Sequence, residues 1–121
     1  MKALGIALVL LVALEHLYFL YLEMFLWTKP KGLKVFGNTP EKAEASRVLA
    51  ANQGLYNGFL AAGLILALIR GIPGTGVDLA SFILACVIVA GLYGAATAAR
   101  RILYVQALPA ALALVAVLVG F

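Results

Sequence analysis

Glu15, His16 and Glu23 are the residues best suited to chemistry in this chain, and they sit in the otherwise apolar run "ALEHLYFLYLEMFLW", residues 13–27. Carboxyls and an imidazole can exchange protons, hold a small cation, or fix a polar ligand through hydrogen bonds. A charged side chain at the centre of a membrane helix costs about 2.5–3.5 kcal/mol, so such groups face a bundle interior or water. At about 100° per residue His16 and Glu23 nearly share an azimuth, with about 10.5 Å of axial rise between them. Glu15 lies a quarter-turn aside. The three cannot all touch one another, so each needs partners on a second helix.

Those partners are expected from "AANQGLYNGF", residues 50–59, which carries Asn52, Gln53, Tyr56 and Asn57. Amides donate to carboxylates and accept from imidazole without adding charge. Antiparallel pairing is expected to set Glu23 level with Ala51–Asn52 and His16 with Asn57–Phe59. Tyr93, Thr97, Arg100 and Gln106 form a secondary set on the later helices. The expectation is one polar cavity lined by Glu15, His16, Glu23, Asn52, Gln53 and Asn57.

The elements that position these residues follow from composition. Hydrophobic residues make up 65 % of the 121 residues and charged ones 12 %, about half the usual charged share of a soluble domain. So little charge cannot cover a globular surface; the chain's solvent must be largely lipid. The net charge of +4 is therefore no sign of nucleic-acid binding. An all-α, polytopic membrane protein is expected: one domain, residues 1–121, folded as an antiparallel four-transmembrane-helix bundle. The spans fall at about 3–27, 48–69, 77–99 and 102–121, each near the 20 residues a bilayer core requires. No small-x-small cleavage site follows the first apolar stretch, which argues for a helix rather than a signal peptide.

Residues 28–47 form a polar loop in which "TPEKAEASR" predicts a short helix, with Thr39 as N-cap and Pro40 in the first position. "RGIPGTG" ends the second span and lacks the GK[ST] of a phosphate loop. Pro109 is expected to free one carbonyl of the last span.

Basic residues set the orientation. Lys29, Lys31, Lys34, Lys42 and Arg47 in the first loop, with Arg100 and Arg101, oppose only Lys2 and Arg70. The excess belongs in the cytoplasm, so loop 28–47 is expected inside and both termini outside, in a bacterial inner membrane. Trp27, Tyr104 and Phe36 then sit near the cytoplasmic interface.

"EHLYFLYLEMFLW" with the later "NQGLYNGFLA" resembles the small bacterial membrane-protein family catalogued as domain of unknown function 1304, over essentially the whole chain. The resemblance implies a four-span membrane protein and marks Glu15, His16, Glu23, Asn52, Gln53 and Asn57 as motif positions. It implies no activity.

Three functions fit these residues. The first is binding or translocation of a small polar molecule, ion or proton. The second is a membrane-embedded enzyme acting on a lipid or quinone, and the third is a structural or assembly subunit. No catalytic residue is singled out. One His and one Cys, Cys86, give neither a bis-histidine haem pair nor a thiol pair; no metal site is expected and no cofactor is identified. The expected partners are the lipid bilayer, a small-molecule ligand and a second copy in a homodimer; the small-residue faces Ala90–Gly94–Ala98 and Ala107–Ala111 suit packing either within the bundle or between chains.

Overall fold

Long apolar stretches without interior proline make helices, and the computed structural model, which describes residues 2–121, is all-helical with no strand among them. Helix α1 spans Ala3–Phe25, α2 Pro30–Phe36, α3 Pro40–Ala45, α4 Arg47–Arg70, α5 Val77–Thr97 and α6 Leu108–Val119, the last preceded by a π-helical stretch at Leu103–Ala107. Three helices are long and apolar enough to cross a membrane: α1, α4 with the turn after it, and α5. The fourth apolar stretch, Leu103–Val119, is shorter.

The helix boundaries lie close to the expected ones, but the loop at residues 28–47 differs. It is largely helical, with α2 in addition to the expected short helix. Its ends follow the asymmetry of proline at the start and glycine just past the end: Pro30 opens it, and Gly37 closes it in the left-handed region at φ 66°. Helix α3 forms as expected, with the Thr39 hydroxyl accepting from the Lys42 N–H at 3.2 Å.

The chain divides into two compact units. One is Leu14–Ala61. Within it α1 and α4 pack through glycines: a Cβ on Gly54 would lie 2.8 Å from Met24 Cγ and 3.0 Å from Glu23 Cβ, and one on Gly58 would press on Leu20 Cδ1. Helix α2 lies hard against the end of α1, since a Cβ on Gly32 would come within 1.8 Å of the Leu26 carbonyl oxygen. Trp27 Nε1–H donates to Ser46 Oγ at 3.1 Å, and its ring lies 4.9 Å from that of Phe36.

The other unit comprises the residues up to Ala13 together with Ala62–Phe121. Here α5 meets the last helical stretch through small residues. A Cβ on Gly91 would be 2.9 Å from the Ala107 nitrogen, and one on Gly94 3.2 Å from Ile102 Cγ2. Ala107, Ala110, Ala113 and Ala116 are all buried, the last beside Gly5 at the start of α1. Of the small-residue faces suited to packing within the bundle or between copies, Gly94 and Ala107 have neighbours within the chain. The Leu4 N–H donates to the Phe121 carbonyl at 2.9 Å, so the start of α1 meets the chain's end. The π-helical stretch contains Val105, whose carbonyl loses its usual donor because Pro109 has no N–H. The turn after α4 uses Gly71 at φ 110° and Gly74 at φ 143°, a backbone region that favours glycine.

Candidate functional site

The inward face of α1 runs through Gly5, Val9, Val12, His16 and Glu23, at intervals of three, four and seven residues. His16 is fully buried and Glu23 is 8 % exposed, so the shared azimuth expected of the two holds. The His16 ring sits edge-on to Phe19, 5.2 Å between centroids. Glu15 is half-buried. Its Oε1 is buried and receives no hydrogen bond among the described residues.

Only one of the three expected amides reaches a carboxyl. Asn57 Nδ2–H donates to Glu23 Oε1 at 2.5 Å. Together with the Gly54–Glu23 and Gly58–Leu20 approaches, this sets the α1–α4 register about one turn away from the expected alignment. Glu23 is level with Gly54–Asn57 instead of Ala51–Asn52. The cause lies in α4's small-residue stripe, Ala50, Gly54, Gly58 and Ala61, which permits close backbone approach and fixes what faces α1. Asn52 lies about 200° around the helix from Ala50, and both Asn52 and Gln53 are exposed. They do not join Glu23. Tyr56 is also exposed and stacks edge-on with Phe59 at 5.7 Å. Of the six residues expected around one cavity, the bonds described bring Glu23 and Asn57 together, while Asn52 and Gln53 lie exposed.

The secondary residues belong to the other unit and make contacts of their own. Tyr93 is 72 % exposed. The Thr97 hydroxyl donates back to the Tyr93 carbonyl at 2.7 Å, a local bond typical of threonine in a helix. Gln106 Nε2–H reaches the Val87 carbonyl at 3.4 Å, and Arg100 is exposed after α5. Among the described residues, no three His, Cys, Asp or Glu side chains converge as a metal ion requires.

Residues 10–118 match the family described as Protein of unknown function (DUF1304). The chain belongs to that family. It is similar to the uncharacterized protein YpaA of Lactococcus lactis subsp. lactis (strain IL1403), 38 % identical over 117 residues that cover 95 % of this chain and 97 % of the relative. No solved structure matches it. The matched region contains Glu15, His16, Glu23 and Asn57 together with both loop helices. Membership assigns none of them a role, so roles must be argued from their surroundings.

Proposed function

We propose that this family member is a four-span integral membrane protein whose Glu15–His16 pair binds and hands on a proton. Four spans require Leu103–Val119 to cross as well, and its length falls at the low end of the roughly 17–25 residues that suffice. The seven-to-two distribution of basic residues supports a cytoplasmic connector and outward termini. The meeting of Leu4 with Phe121 agrees with both ends lying on one side. Cysteine labelling in a Cys86-free background tests that orientation. Positions near Lys34 should be protected from an impermeant reagent in intact cells, and positions near Thr75 should react; the reverse pattern overturns it.

The proton-binding reading is carried by the buried Glu15 Oε1, an acceptor supplied with no donor by the described residues. Glu23 already has Asn57. A proton is the cargo best suited to this interior, because it needs titratable atoms and no room for a solute. Purified protein in liposomes loaded with a pH-sensitive dye, under a potassium diffusion potential, should pass protons faster than protein-free liposomes. Glu15→Gln and His16→Ala should remove that excess while the melting temperature stays nearly unchanged. Wild-type flux equal to the protein-free leak overturns the reading, as does full flux in both variants.

A structural role is the second reading, and the Glu23–Asn57 bond favours it. Interhelical bonds of this kind hold helices in register at about 0.6 kcal/mol each on average. On that reading Glu15→Gln and His16→Ala lower the melting temperature, Glu15→Gln less so, since an amide still forms hydrogen bonds.

A further inference from the structure

Helix α2 carries three lysines at its exposed positions, Lys29 at its N-cap and Lys31 and Lys34 within it, and no acidic residue occurs from Thr28 to Pro40. In the connector the carboxylate ion pair is Glu44 with Arg47, at 2.9 Å, and α2's charge has no anionic partner among the described residues. Lys31 and Lys34 are three residues apart, which makes them neighbours on one helix face. Gly32, between them, is the residue that lets α2 press against Leu26 and Trp27. The consequence is seen at Lys31: its Nζ lies 5.5 Å from the centroid of the Tyr18 ring, within reach of a cation–π attraction.

Depth makes that contact informative. Helix α1 is 23 residues long, about 35 Å, against a hydrocarbon core of about 30 Å. Tyr18 lies about 10.5 Å along the axis before Phe25. Centred on that core, α1 puts Tyr18 about 8 Å inside the boundary, so a lysine drawn toward it is held on the hydrocarbon side of the headgroups instead of reaching into water. An ammonium there is stabilised by the anion nearest to it along the membrane normal, and the phosphate of an acidic phospholipid is that anion.

We infer that Lys31 over Tyr18, with Lys34 beside it on α2, forms a seat for the headgroup of an anionic phospholipid. The inference rests on the membrane reading above but is independent of proton binding. Gly32 and the Trp27–Ser46 bond hold the helix in place; Tyr18 holds Lys31 below bulk water.

Trp27, the single tryptophan, adjoins α2 through Phe36 and reports which lipid occupies this position. The protein is reconstituted in bilayers in which either phosphatidylglycerol or phosphatidylcholine carries brominated acyl chains, and quenching of Trp27 gives their relative association constants. Brominated phosphatidylglycerol should associate more strongly. Lys31→Gln and Lys34→Gln should each lower that preference about fivefold, the equivalent of about 1 kcal/mol per lysine near an anionic surface. Tyr18→Phe should keep the preference, and Tyr18→Leu should reduce it. Arg70→Gln, with the same loss of charge elsewhere, should change nothing. Equal quenching by the two lipids overturns the inference, and so does an equal fall in Arg70→Gln, which reduces the effect to net charge. Sodium phosphate that removes the preference where sodium chloride of equal ionic strength does not would identify a soluble-anion site and overturn the lipid assignment. Protein extracted from the bilayer by alkaline carbonate defeats the membrane reading and this inference together; inserted protein without a lipid preference defeats this inference alone.

Discussion

Leu14–Ala61 and the unit containing Ala62–Phe121 are both helical, yet they hold together by different means. In the first, long-range side-chain bonds join separate helices: Asn57 to Glu23, Trp27 to Ser46, and Lys31 over Tyr18. In the second, Gly91 and Gly94 let α5 approach Ala107 and Ile102. Its side-chain bonds are mostly local, from Thr97 to Tyr93 and from Thr75 to Arg70. The contrast separates two ways of fixing helices. Close backbone approach gains dispersion energy without naming a partner, whereas a buried polar pair specifies both partners and leaves groups that can do chemistry.

Both units also depend on glycines, and the most forceful test of the comparison compares two of them. Gly32→Ala sets a methyl group 1.8 Å from a backbone oxygen, while Gly91→Ala meets Ala107 backbone and side-chain atoms at 2.9–3.0 Å. Backbone cannot yield as a flexible side-chain end can. Overpacking typically costs about 1–3 kcal/mol and occasionally more. Gly32→Ala should lie at or above the top of that range and Gly91→Ala within it, measured by reversible unfolding in mixed micelles. Gly32→Ala should also free Trp27 and shift its emission. If Gly91→Ala proves the costlier, the connector is a loosely attached flap and not a docked element.

Sequence reasoning reached the helices more readily than the contacts between them. Hydropathy and length locate α1, α4 and α5 because a bilayer-length apolar run has few other solutions. Thr39–Pro40 announced α3 through its capping chemistry. The equally local signal of Pro30 and Gly37 around α2 was legible too, but polar composition made the segment read as loop. The shared azimuth of His16 and Glu23 follows from helix geometry alone and holds. The α1–α4 register does not follow from polar residues, since any amide can be matched to any carboxyl on paper. Gly54 and Gly58 decide it by permitting close approach, and that turns Asn57 inward while leaving Asn52 and Gln53 outside. The Lys31–Tyr18 contact depends on α2 folding back along α1, which no periodicity reveals.

A smaller effect isolates the polar link. In a double-mutant cycle of Glu23→Leu and Asn57→Leu, each single change should destabilise, because it leaves a buried polar group without its partner. The double variant should recover part of the loss. The coupling energy should lie near 1 kcal/mol, between the average of about 0.6 and the maximum of about 1.7 found for membrane interiors. Coupling near zero would mean that glycine packing alone fixes the register, and the distinction between the two units would fail.

The weakest expected effect belongs to Gln106, the one long-range amide bond described in the other unit. Its Nε2 lies 3.4 Å from the Val87 carbonyl, at the far limit of hydrogen-bond distance. That carbonyl lies well inside α5, where the N–H one turn on already serves it, so removing the amide orphans no acceptor. Gln106 is half-buried, and its own polar atoms vanish with the substitution. Gln106→Leu should therefore change unfolding free energy by no more than about 0.5 kcal/mol, the scatter of ordinary surface substitutions. The same chemical change at Asn57 strips a buried carboxyl of its donor and should be felt more strongly. A loss at Gln106→Leu equal to that at Asn57→Leu would show that the π-helical stretch, too, is held by a polar bond.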